Sequence, residues 1–92
     1  MRKSAMVKKV YDGDTVKIDR KIFGTDKIRL NKIDTPERGS PGYRKATNIT
    51  KRMVDGKRIS VEPVTKDKYG RLIANIYKDG KSVRARLKRQ GF

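Results

Sequence analysis

Arg29-Leu-Asn-Lys-Ile-Asp-Thr-Pro-Glu37 sets one arginine, two carboxylates and a threonine side by side in the chain. Asp12-Gly-Asp14-Thr15 lies upstream of it, and Asp67-Lys-Tyr-Gly-Arg71 lies downstream. Oxygen donors beside fixed cations can hold a divalent metal and a phosphodiester together. Asp14 and Asp34 are the candidate metal carboxylates. Brought to one rim, they repel each other unless a cation lies between them, and Thr35 adds a backbone carbonyl of the kind calcium accepts. Arg29 and Arg71 are candidate phosphate clamps, because the guanidinium fork matches two phosphate oxygens and never loses its charge. Glu37 is the candidate to polarise an attacking water. Lys68 and Tyr69 are candidates to grip a terminal phosphate and to stack on a base or sugar. Taken singly, each of these residues has an ordinary structural role, as a turn or strand-end aspartate, a loop glutamate or a surface arginine.

Composition narrows the chemistry. The 92 residues contain no histidine and no cysteine. That removes the usual base at neutral pH and the usual zinc ligands. Any metal site must then be built from oxygen, which suits hard cations such as calcium or magnesium. Twenty-six lysines and arginines against ten acids leave a net charge of +16. Such a field draws polyanions by steering and counterion release. Nucleic acid is the expected partner, ahead of an anionic membrane surface or an acidic protein. The many other lysines read as a field that follows a phosphate backbone without reading sequence. No apolar run approaches the ~20 residues of a membrane span. No sustained apolar region follows Met1-Arg-Lys, so no secretory signal is expected, and the native compartment stays open.

The elements that position these residues follow from periodicity. One domain is expected, with a small core. Val16, Ile18 and Ile22 alternate with polar neighbours as a half-buried strand. The Asp12-Gly13 turn pairs it with a strand over Met6–Tyr11. Gly24-Thr-Asp26 marks the next turn, and a third strand is expected over Lys27–Ile33. A bulge near Asn31-Lys32 would correct its parity, and Pro36 would end it. Glu37–Gly42 reads as a loop, and Tyr43–Val54 as a helix with Ala46, Ile49 and Met53 inward. Strands over Arg58–Val64 and Leu72–Tyr77 follow, then a turn at Asp79-Gly80. A short helix over Val83–Arg89 closes the series, with Gly91 as its stop. Five strands with a helix between the third and fourth predict an α+β fold, the OB-fold Greek-key barrel. A ubiquitin-like or SH3-like sheet with a packed helix is the alternative.

The blocks Val10-Tyr-Asp-Gly-Asp-Thr-Val16, Arg29 to Glu37, Asp67 to Arg71, Leu72-x-Ala74, Tyr77-x-Asp-Gly-Lys81 and Arg89-Gln-Gly91 stand in one order. In that order the chain resembles the staphylococcal nuclease-like, or thermonuclease, family from Val10 to Phe92. The resemblance implies a calcium-dependent endo- and exonuclease on an OB-fold, active on single-stranded or frayed DNA and RNA. It would cut the 5′ P–O bond and leave 3′-phosphates. It further implies one calcium ion on Asp14, Asp34 and the Thr35 carbonyl, with Asp12 in the outer sphere. Arg29 and Arg71 match its phosphate-contacting arginines, Glu37 its proposed base, and Lys68 and Tyr69 residues near the 5′ side of the nucleotide. A monomer with no protein partner is expected. The loop after Glu37 looks shorter than in the best-known secreted members, and longer relatives carry a further helix with tyrosines near the substrate. Modest stability, raised by bound calcium or nucleotide, follows from that comparison. Two other readings are a non-catalytic OB module that binds single strands and a basic scaffold. The acids discriminate: a pure binder has no use for Asp14, Asp34 and Glu37, which repel phosphate unless metal is present.

Overall fold

Six strands and two helices follow one another in a computed structural model that describes residues 2–92. They are β1 (Lys3–Asp12), β2 (Thr15–Ile22), β3 (Thr25–Leu30), α1 (Tyr43–Val54), β4 (Arg58–Lys66), β5 (Leu72–Lys78), β6 (Lys81–Ser82) and α2 (Val83–Arg89). The sheet order is β3-β2-β1-β4-β5-β6, and β3 also pairs with β5. That second pairing is parallel, with Ile28 opposite Leu72 and Leu30 opposite Ala74. It closes β1–β5 into a barrel, the OB-fold read from the sequence. Alternation drives the closure. Val16 and Ile18 on β2, Ile28 and Leu30 on β3, Ile59 and Val61 on β4, and Leu72, Ala74 and Ile76 on β5 all bury inward. Each large aliphatic side chain removed from water contributes roughly 1.5–3 kcal/mol.

Two features at the end of β3 differ from expectation. The strand stops at Leu30 and does not reach Ile33, so Pro36 lies six residues beyond its end. Asn31 and Lys32 form a turn rather than a bulge, with Lys32 in the left-handed region at φ 57. The parity slip at Ile33 therefore records a new chain direction, which returns Ile33 to the core. Register shifts do occur elsewhere, between Val7 and Lys9 on β1 and between Pro63 and Thr65 on β4. A proline lacks the N–H that a ladder needs, so Pro63 fits such an irregular position. β1 also begins earlier than expected, β4 runs to Lys66, and the two-residue β6 is additional.

α1 covers the barrel next to the first hairpin. Ala46, Ile49, Thr50 and Val54 are buried, and Met53 packs at the edge. Thr50 Oγ1 donates to the Gly13 carbonyl at 2.7 Å, and the Tyr43 hydroxyl donates to the Tyr11 carbonyl at 3.0 Å. A β-carbon on Gly13 would lie 2.9 Å from Ala46 Cβ and 3.0 Å from the Thr35 side chain. Only glycine lets the β1–β2 turn approach the helix this closely, and that turn carries Asp14. At the far end, Ser82 caps α2 by accepting from the Ala85 N–H. The Phe92 N–H bonds to the Leu87 carbonyl and the Gly91 N–H to that of Lys88, with Gly91 at φ 95. This Schellman arrangement confirms Gly91 as the stop and folds Phe92 back on the core.

Candidate active site

Barrel closure puts three separated segments at one rim. The β1–β2 turn supplies Asp14, the chain after β3 supplies Asp34 and Thr35, and the β4–β5 hairpin supplies Asp67 to Arg71. Arg29 lies at the centre. Its Nη1 donates to the carbonyls of Leu30 (2.7 Å) and Ile33, which fixes the turn after β3. Its Nη2 lies 3.0 Å from Asp34 Oδ1 and 3.5 Å from Asp14 Oδ2. Asp14 and Asp34 thus meet across one guanidinium. Asp14 is buried, and its two oxygens accept from Thr15 Oγ1 and from the Thr35 N–H, each at 3.0 Å. The Asp34 side chain is 93% exposed.

Asp12 and Asp14 behave as a pair. Burial, followed by the neighbouring Asp14 carboxylate, pushes the Asp12 carboxyl up to about 6. Burial pushes Asp14 in the same direction. The hydrogen bonds from Asp12, the Thr35 N–H and Thr15, together with the Arg29 charge, outweigh it and hold Asp14 below the usual range. Asp14 therefore stays ionised when Asp12 takes a proton. Ionised Asp12 costs stability above its raised pKa, and the cost fades as pH falls through 6 toward the unfolded value near 4. Asp12→Asn should stabilise the protein at pH 7 by about 1–2 kcal/mol, after discounting the shift for partial exposure. Denaturant melts at pH 7 and pH 4.5 test this. A gain that grew on acidification would refute the sign.

A cleft of about 590 Å³ opens beside Arg29. Asp34, Asp67, Lys68, Tyr69 and Arg71 line it with Arg29. Both arginines therefore face one space, with Tyr69 at its lip, 73% exposed. Lys68 Nζ stands 5.3 Å from the centre of the Tyr69 ring, and the Arg71 guanidinium 5.6 Å. Asp67, to which the sequence reading gave no role, organises this hairpin. It accepts from the backbone N–H groups of Tyr69 and Arg71 at 2.9 Å and from Arg71 Nε at 2.7 Å. Those bonds outweigh burial and hold its carboxyl below the usual range. The Asp-x-x-x-Arg spacing around a Tyr-Gly turn is the sequence signal that points to this clasp. Glu37 stands apart. It is exposed, does not line the cleft and enters no ion pair among the described residues.

The donors at the rim suit a hard cation. They are carboxylate and backbone oxygens, with no imidazole or thiolate available in the chain. Among the described residues no group of three or more carboxylate, imidazole or thiolate side chains converges. Two carboxylates and a carbonyl would leave the rest of an ion's shell to water. Among the described residues the Thr35 hydroxyl is buried without a partner. Thr35→Val keeps both backbone groups and removes this unsatisfied oxygen, so stability should hold or rise by about 1 kcal/mol. A loss above 1 kcal/mol in urea unfolding would show that the hydroxyl has a partner.

Residues 27–92 match the family described as staphylococcal nuclease homologue. The chain belongs to that family. Among its relatives, a thermonuclease of Staphylococcus intermedius is 37% identical over 96% of this chain and 56% of its own length. An uncharacterized endonuclease of Escherichia coli O157:H7 is 36% identical over 92% of this chain and 56% of its own. A staphylococcal-like nuclease of Arabidopsis thaliana is 38% identical over 71% of this chain and 20% of its own. The chain thus spans about half the length, or less, of these relatives. The two bacterial matches cover more of the chain than residues 27–92 do. Among the described residues no helix is long and apolar enough to cross a membrane.

Proposed function

We propose that this domain is a calcium-dependent nuclease that hydrolyses phosphodiester bonds in single-stranded or frayed DNA and RNA. The observation that carries the reading is the meeting of Asp14 and Asp34 at Arg29, beside a cleft that Arg71 also lines. Membership in the staphylococcal nuclease homologue family supports it.

Asp14, Asp34 and the Thr35 carbonyl would hold the calcium ion, with Asp12 in support. When bound, calcium supplies positive charge against the phosphate and lowers the repulsion between substrate and rim carboxylates. Arg29 and Arg71 bind the nonbridging oxygens and stabilise the charge that grows there as water attacks phosphorus. Arg71 is pre-aimed, because Asp67 holds its Nε and leaves its terminal nitrogens without a hydrogen bond among the described residues. Arg29 exchanges its exposed partner, Asp34, for phosphate. Glu37 takes the proton of the attacking water: its carboxylate is exposed and enters no ion pair among the described residues, and it must reach the cleft from the loop outside it to do so. The bond from phosphorus to the 5′-oxygen breaks, leaving a 3′-phosphate and a 5′-hydroxyl that gains a proton from solvent. Lys68 meets a terminal phosphate, and Tyr69 stacks on the adjoining base or sugar. The net charge of +16 keeps the strand near the barrel without reading its sequence.

Heat-denatured DNA should be degraded in millimolar calcium and left intact in excess chelator. Full activity in chelator would overturn the metal assignment. Tight binding of single strands without cleavage under any divalent ion would replace the enzyme with a binding module.

A further inference from the structure

A second hollow, of about 490 Å³, lies away from the rim carboxylates, between the β2–β3 turn and β4. Phe23, Pro63, Val64 and Leu72 give it an apolar lining, and Lys3 and Lys66 border it. The Phe23 side chain is unusual on three counts. It is 65% exposed in a chain with only two phenylalanines. It occupies the first position of a two-residue turn in which Phe23 and Gly24 both have positive φ, 50° and 81°. Such turns favour asparagine, aspartate or glycine at that position, and a bulky side chain there is strained. Lys66 Nζ, finally, donates to the Phe23 carbonyl at 3.1 Å and ties the strained turn to β4. Neither local conformation nor burial favours an aromatic residue here. Val64, at the register shift of β4, is 52% exposed beside it.

We propose that this hollow binds a base of single-stranded nucleic acid, as a subsite for the strand whose scissile phosphate lies in the Arg29–Arg71 cleft. The inference rests on the nuclease reading. Segment 66–73 joins the two spaces, with Lys66 and Leu72 on the hollow and Asp67, Lys68, Tyr69, Arg71 and Ile73 on the cleft. Phe23 and Arg29 lie near opposite ends of β3, on the order of 20 Å apart at the rise of a strand. That separation falls within the roughly 4–16 nucleotides one OB-fold engages. An exposed ring flanked by ammonium groups is the equipment for stacking on a base while following its phosphates. A second copy of the chain is the poorer occupant. It would bring +16 against +16 and set lysine rims against each other, over a patch of only a few side chains.

The test uses binding to dodecathymidylate and trithymidylate in chelator, so that no strand is cut. Phe23→Asn supplies the residue the turn prefers, so its melting temperature should match or exceed that of the wild type. Its affinity for the dodecamer should fall roughly 5- to 100-fold, with little change for the trimer. The chain has no tryptophan, so Phe23→Trp gives a single reporter whose fluorescence the dodecamer should quench at near-native affinity. Unchanged dodecamer affinity in Phe23→Asn, or an unquenched Trp reporter, overturns the subsite. So does a concentration-dependent dimer, seen by sedimentation, that Phe23→Asn abolishes. Calcium-dependent digestion is read separately. Dodecamer binding through Phe23 with no cleavage in calcium overturns the nuclease reading and keeps the subsite.

Discussion

Arg71→Ala is expected to lower kcat on denatured DNA by about 10²–10³-fold with little loss of stability. The size follows from what the guanidinium does in the reaction. In the proposed mechanism its charge interacts more strongly with the transition state than with the bound substrate, so its loss should fall on kcat more than on KM. The small stability cost follows from its surroundings. The Arg71–Asp67 pair is partly exposed, and such pairs contribute about 1 kcal/mol or less. Asp67 also keeps its bonds to the backbone N–H groups of Tyr69 and residue 71, so the hairpin holds its shape. Arg71→Lys retains the charge without the fork and should recover only part of the rate. Arg29→Ala is a less clean experiment. It also removes the bonds to Leu30 and Ile33 and the cation between two carboxylates. Near-native kcat in Arg71→Ala would remove the clamp from the mechanism.

Ile28→Ala should destabilise the domain by about 2–5 kcal/mol. Ile28 is fully buried where the barrel closes, opposite Val16 on β2 and Leu72 on β5. A domain of this size has about 5–14 kcal/mol in all, so one truncation removes a large share. At roughly 4–8 °C for each kcal/mol, the melting temperature should drop by about 8–40 °C. Activity should survive well below the new midpoint and vanish earlier on warming. Ile28 sits next to Arg29 in the strand that pairs with β5, so the seam that stabilises the barrel also sets Arg29 beside Arg71. Urea unfolding gives the measurement. A loss below 1 kcal/mol would mean that the seam relaxes around the cavity and contributes little to the closed barrel.

Much of this molecule was legible before folding because its signals are local. Strand alternation in β2, the spacing of Ala46 and Ile49, and the Asp-Gly and Gly91 turn signals depend on neighbours within a few residues. They gave the element order, β6 apart, and the helix bounds of α1 and α2. The end of β3 was misread for the same reason. Ile33 fits a strand pattern locally, but the turn at Asn31-Lys32 depends on contacts from elsewhere. Arg29 holds the Leu30 and Ile33 carbonyls, and the Asn31 N–H bonds to the Ala74 carbonyl on β5. The role of Asp67 was equally hidden, since a carboxylate in a basic turn looks like a surface ion until its bonds to Tyr69 and Arg71 are seen.

By itself the sequence determined the chemical vocabulary of this protein. It has oxygen donors and guanidinium groups, neither imidazole nor thiolate, and a cationic field over the whole chain. These are properties of residue types and need no geometry. Only the tertiary structure decided which of them meet. The parallel pairing of β3 with β5 brings Arg29 and Arg71 to one cleft, and the close approach of Gly13 to α1 fixes the turn that carries Asp14. Glu37, equally prominent in the sequence, stays outside that cleft. The reason is physical: contacts between distant segments arise from the packing of buried faces across the barrel, and no local pattern of residues encodes which polar groups that packing brings together.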